Sequence, residues 1–63
     1  MSIGQQIKNI RQERHLSQKQ LAQMAQISPS YLCDVEKGRC NCSIKILKRI
    51  SLALNVEIAE LLK

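Results

Sequence analysis

Two helix-start signals set close together constrain this chain more than anything else in it. The first is Ser17-Gln18-Lys19-Gln20. It has the form of a capping box, in which a serine hydroxyl accepts a bond from the third helical N–H and a glutamine there bonds back. Leu16 and Leu21 flank it at the spacing of a hydrophobic staple. The second is Ser28-Pro29. Serine suits the cap, and proline suits the first helical position because its missing N–H would have been unpaired there anyway. Ile27 and Leu32 make the staple here. The helix carrying Leu21, Ala22, Met24 and Ala25 is therefore separated from the next by only about three residues, a turn tight enough to set the two at a large angle. Such a crossing needs a small residue at the close approach, and Ala22 is placed for it. Leu32 and Val35 then point back into the core with Ile27.

The rest of the chain repeats this grammar. Ser2 and Gln5 form a capping-box pair ahead of Ile3, Ile7 and Ile10, which share one helical face up to about Arg14–His15. Gly38 is a natural left-handed stop for the helix begun at Pro29. A fourth helix starts at Ser43, carries Ile44, Leu47, Ile50 and Leu54, and stops at Asn55. A short fifth runs from Glu57 to Leu62, with Val56 and Leu61 at staple spacing. Connections of a few residues suit a compact bundle. Two Gly and one Pro give too little punctuation for several strands. The expectation is one all-α domain over residues 1–63, a compact five-helix bundle with a helix-turn-helix at about 17–37.

A chain of 63 residues buries only about 60% of the surface its unfolded form exposes, which leaves no room for a catalytic cleft beside the core. With one Tyr and no Phe or Trp, that core is expected to be aliphatic, from Ile, Leu, Val, Ala and Met. Ten Lys and Arg against five Asp and Glu leave a net charge of +5. This excess suggests an anionic partner, either nucleic acid or a membrane surface. No apolar run reaches the 18 or so residues of a membrane span, and the N-terminal sequence lacks the apolar region of a signal peptide. A cytoplasmic setting follows as an expectation, with the cysteines as thiols.

Enzyme chemistry finds no support. The chain has no glycine-rich phosphate loop, no serine elbow and no paired carboxylates. His15 reads as a helix-end residue. Cys33, Cys40 and Cys42, with His15, offer metal ligands, but Cys-x-Cys does not match the usual spacing of a closed zinc site. No metal, cofactor or small-molecule substrate is therefore expected. A thiol- or metal-responsive switch beside the third helix is the lesser alternative.

At LSQKQLAQMAQISPSYLCDVEKGR (Leu16 to Arg39), followed by SIKILKRISLALNVEIAELL (Ser43 to Leu62), the chain resembles the lambda-repressor-like, or XRE-type, helix-turn-helix domains. The resemblance covers essentially the whole chain. Gln18 at the start of helix 2, Ala22 four residues on, Ile27-Ser28 before helix 3 and the Glu36-x-Gly38 ending carry it as a set. Two positions depart from the family pattern. Gln26 and His15 stand where glycine is usual, and a non-Gly residue in a left-handed conformation costs about 1–2 kcal/mol.

The resemblance implies a sequence-specific DNA-binding transcription regulator, a repressor of bacterial, phage or mobile-element origin, that grips operator DNA as a homodimer with helix 3 in the major groove. On a helical wheel with Pro29 at zero, Leu32 and Val35 fall at about 300° and 240°, the buried side. Cys33, Lys37, Ser30 and Asp34 fall at about 40°, 80°, 100° and 140°, the outward side. The family's base-reading positions are occupied by Pro29, Ser30 and Asp34. Asp34 is either an acceptor for cytosine N4 or a solvated or internally paired charge, since phosphate repulsion opposes it. Pro29 and Cys33 suit a thymine methyl. By the same resemblance Gln18 contacts phosphate, with Ser28, Tyr31, Lys37, Arg39 and Asn41 on the same edge. Ser28 is also a plain cap, and Tyr31 is open between that edge and partial core packing. Lys8, Lys45, Lys48 and Arg49 read as ordinary solvated surface. Arg11 and Glu36 match a pair that is an internal salt bridge in related domains. Ile58, Leu61 and Leu62 are expected to form the dimer face, with part of helix 4. An antitoxin or protein-interaction module of the same fold is the alternative function.

Overall fold

The computed structural model describes residues 3–39 and 43–62. Among them the chain forms five helices: α1 (Ile3–Glu13), α2 (Gln18–Ala25), α3 (Pro29–Glu36), α4 (Ile44–Leu54) and α5 (Ile58–Leu61). The expected start of α1 at a Ser2–Gln5 box rests on Ser2, which lies outside the described residues.

Local chemistry sets the helix starts. Ser17 Oγ accepts from the Gln20 N–H at 3.0 Å, and Gln20 Oε1 accepts from the Ser17 N–H at 2.8 Å, so the capping box is complete. Ser28 and Ser43 cap α3 and α4 by accepting from the N–H groups of Tyr31 and Ile46. Each bond satisfies a donor that the first helical turn would otherwise leave unpaired.

The helix ends share a second device. A residue with positive φ follows α1, α2, α3 and α4: His15 (58°), Gln26 (60°), Gly38 (77°) and Asn55 (58°). The residue after each one sends its N–H back to a carbonyl inside the finished helix: Leu16 to Arg11, Ile27 to Ala22, Arg39 to Asp34 and Val56 to Ser51. This is the Schellman closure, which pairs carbonyls the last turn leaves open. Leu16, Ile27 and Val56 therefore act twice. Each closes one helix and, partly buried against the core, sits at the staple position ahead of the next.

The core consists of Ile7, Leu21, Ala22, Ala25, Leu32, Val35, Leu47, Ile50, Leu54 and Leu61. α2 packs on α3 and α4, α1 on α3, and α5 closes the bundle against α1 and α4. Ala22 is fully buried at the centre of this arrangement. Three expectations need correction. Met24 is 52% exposed and Ile44 70% exposed, so neither belongs to the core. Leu21, Ala22 and Ala25 already fill the inward face of α2, and Ile44 stands uncovered in the first turn of α4. Leu61, expected on a dimer face, is 0% exposed and lies in the core, because α5 turns it inward against the bundle.

One close approach had no forewarning in the sequence pattern. Gly4 of α1 lies so near the end of α3 that a Cβ there would overlap the Val35 carbonyl oxygen and sit 2.8 Å from that of Glu36. Only glycine lets the two backbones meet at this distance.

Candidate nucleic-acid interface

The outward side of α3 carries Pro29, Ser30 and Lys37 exposed, with Cys33 and Asp34 half-buried beside them. The inward side is anchored by Leu32, fully buried, and by Val35. Helical periodicity therefore separates the face that packs from the face that can meet a ligand. Tyr31 is half-buried and packs against the core. Ser28 is an exposed cap, and Arg39 is exposed just beyond α3. Asn41 lies outside the described residues, as do Cys40 and Cys42. Cys33 is a free thiol, and among the described residues no group of three His, Cys, Asp or Glu could hold a metal ion.

Behind this face lies a polar knot. Arg11 Nε donates to Glu36 Oε2 at 2.8 Å, and its Nη2 donates to Glu36 Oε1 at 3.3 Å. A third donor, Arg11 Nη1, reaches the Leu16 carbonyl at 2.7 Å. Gln18 Nε2 donates to Glu36 Oε1 at 2.9 Å. The Glu36 side chain is 2% exposed and that of Arg11 10%. The carboxylate at the end of α3 is thus tied at once to α1, which supplies Arg11, and to the start of α2, which supplies Gln18. These charge-assisted bonds leave no described buried side-chain polar atom unpaired. The Arg11–Glu36 pair is an internal bridge that fixes where α3 ends. The Gln18 side-chain amide belongs to the same knot, a partner that motif spacing did not disclose.

Of the lysines read as ordinary surface, Lys45 and Lys48 are exposed on α4. Lys8 is different. It lines a polar cleft with Gln5, Gln18, Glu36 and Lys37. Elsewhere, Met24, Ala25, Gln26, Arg49, Leu52 and Ala53 line a more apolar groove. At the C-terminal end, Leu62 is 56% exposed and Ile58 is half-buried. No helix among the described residues is long and apolar enough to cross a membrane.

Five helices, a tight turn between α2 and α3, and a recognition-type face held from behind define a helix-turn-helix protein. Residues 7–61 match the helix-turn-helix family, and the chain belongs to it. It is 44% identical over 61 residues to the immunity repressor protein of Bacillus phage phi105, covering 97% of this chain and 42% of that protein. It is also 39% identical over 61 residues to the HTH-type transcriptional regulator SinR of Bacillus subtilis, covering 95% of this chain and 55% of the regulator. The chain thus spans about half the length of such relatives. Among solved structures it is similar to SinR, a master regulator for biofilm formation, in complex with DNA. That match has a TM-score of 0.92 at 39% identity and covers 97% of this chain and 98% of the other. The restriction-modification controller protein C.AhdI from Aeromonas hydrophila also gives 0.92, at 34% identity, covering 94% and 89%.

Proposed function

We propose that this domain is a sequence-specific DNA-binding transcription regulator, a repressor by preference, acting in the cytoplasm. In this reading α3 enters the major groove with its N-terminal end first. The observation that carries it is the outward face Pro29, Ser30, Cys33, Asp34 and Lys37, presented by a helix locked from behind through Glu36 to α1 and α2. The likeness to a regulator solved on DNA supports the same reading, as does the net charge of +5. Gln18, Ser28, Tyr31, Lys37, Arg39 and Asn41 are assigned to the phosphate edge. Gln18 serves it through its position at the first turn of α2, since its amide nitrogen is engaged by Glu36. Pro29, Ser30, Cys33 and Asp34 are assigned to base edges. No catalytic step belongs to this function.

A two-fold homodimer through Leu62 and the exposed part of Ile58 would set two recognition helices about 34 Å apart, matching a palindromic operator. A second reading, a protein-interaction module of the antitoxin kind, draws on the groove between Met24 and Leu52. Selection of binding sequences from a randomised duplex pool at low salt separates the two. An enriched inverted repeat is expected, and loss of all duplex binding would overturn the DNA reading.

A further inference from the structure

The cleft beside Lys8 extends the candidate interface onto a helix outside the helix-turn-helix. It is lined by Gln5 and Lys8 of α1, by Gln18, and by Glu36 and Lys37 at the end of α3. Next to Gln5 on α1, Gly4 has no side chain, and this lets α1 press against the Val35 and Glu36 carbonyls. Lys8 stands one turn further along α1 and so comes to rest beside the end of α3. The volume is about 330 Å³. That is many times the roughly 10–15 Å³ that a single water needs.

The charge of the lining has a definite sign. Glu36 supplies its one carboxylate, and that carboxylate is already compensated by Arg11 and accepts a further bond from Gln18. Lys8 and Lys37 are both exposed, and neither has an ion-pair partner among the described residues. The cleft therefore presents two uncompensated ammonium groups around a neutralised floor. Two of its lining residues, Gln18 and Lys37, also belong to the face assigned to DNA, so the cleft is continuous with that face.

We propose that this cleft receives a phosphodiester group of duplex DNA and that Lys8 is a phosphate contact, which makes α1 part of the interface. The proposal rests on the DNA reading above. A phosphate contact carries no base information, so it shows in salt dependence and not in sequence preference.

The test measures duplex affinity against salt for the parent chain, Lys8→Gln, Lys8→Arg and, as a control, Lys45→Gln on exposed α4. Far-UV circular dichroism checks that each variant is folded. Each phosphate neutralised contributes about 0.9 to the slope of log affinity against log salt. Lys8→Gln should therefore lower the slope by about that amount, so that over a fourfold rise in salt the parent loses about three- to fourfold more affinity than the variant. Lys8→Arg should keep the parent slope, Lys45→Gln should leave it unchanged, and the selected sequence should be the same for all four. A parent slope retained in Lys8→Gln overturns the proposal while leaving the DNA reading intact. Absence of duplex binding by the parent overturns both. Inorganic phosphate titrated at constant ionic strength identifies the other source of the same chemistry. If it shifts the Lys8 resonances while Lys8→Gln keeps the parent slope, the cleft is a free-phosphate site and the proposal fails.

Discussion

Glu36→Gln removes one charge and almost no volume, and it strikes the point where three helices meet. The parent carboxylate accepts from Arg11 Nε, Arg11 Nη2 and Gln18 Nε2. The variant offers one carbonyl oxygen in place of two charged ones and turns an amide N–H₂ toward two existing donors. Arg11 is left as a nearly buried cation with no charged partner, held by the Leu16 carbonyl and the one retained amide oxygen. Breaking a buried pair from one side costs about 3–5 kcal/mol. The surviving Leu16 bond and the one retained acceptor place this case at the lower end, about 3 kcal/mol. A domain of 63 residues has a total stability of about 3–9 kcal/mol at the usual 0.05–0.15 kcal/mol per residue. The variant should therefore be close to unfolding at room temperature. At about 4–8 °C per kcal/mol for a domain of this size, its midpoint should fall by about 12–24 °C. Urea titration followed by far-UV circular dichroism reads the loss directly. Replacing both partners, as in Arg11→Met with Glu36→Met, leaves no stranded charge and should be more stable than Glu36→Gln by at least about 1 kcal/mol. A Glu36→Gln variant within about 1 kcal/mol of the parent would refute the reasoning, as would a double variant no better than the single.

Three further outcomes are expected. Gly4→Ala should destabilise the fold by about 1–3 kcal/mol in thermal melts, because the overlap with the Val35 and Glu36 carbonyls outweighs the roughly 1 kcal/mol that Ala gains over Gly in helix propensity. Gln26→Gly should stabilise by about 0.5–1 kcal/mol: relief of the left-handed strain, about 1–2 kcal/mol, exceeds the added entropy of the unfolded glycine. An unchanged or lowered melting temperature would count against strain at that turn. Lys37→Ala should weaken binding to all duplexes alike, whereas Ser30→Ala should shift preference at one base position, as competition gel shifts with point-substituted sites would show.

The helices were legible in the sequence because the signals that start and stop them are local. Ser17, Ser28 and Ser43 each cap within three residues, and the stops at His15, Gln26, Gly38 and Asn55 act within a single turn. Contacts between elements were less so. Nothing near Gly4 reports that α3 passes above it, since that demand arises from a residue far along the chain. Leu61 was misjudged for a related reason. A staple residue on a short helix reads as apolar, but whether it faces its own core or another molecule depends on how the helix docks, and here α1 and α4 cover it. Gln18 shows the same limit on the candidate site. Its place at the first turn of α2 follows from the cap, while its bond to Glu36 follows from the crossing of α2 and α3.

These observations explain how so small a domain can hold firmly the helix proposed to read DNA and still vary what that helix would read. α3 is fixed by apolar packing through Leu32 and Val35, by backbone contact of its last turn with Gly4, and by the Glu36 carboxylate tied to Arg11 and Gln18. All of these constraints act on its inner side or its C-terminal end. Pro29 and Ser30, at the N-terminal end of the outward face, take no part in them, and both are exposed. Substitution of Ser30 should leave stability almost untouched, because surface changes away from packed or paired groups stay within about 0.5 kcal/mol, and loss of the helix-starting Pro29 should cost no more than about 1 kcal/mol. The positions that would set sequence preference are therefore uncoupled from the positions that maintain the fold. A lineage of such domains can change its target sequence through those exposed side chains, while Gly4, Arg11, Gln18 and Glu36 keep the helix in place.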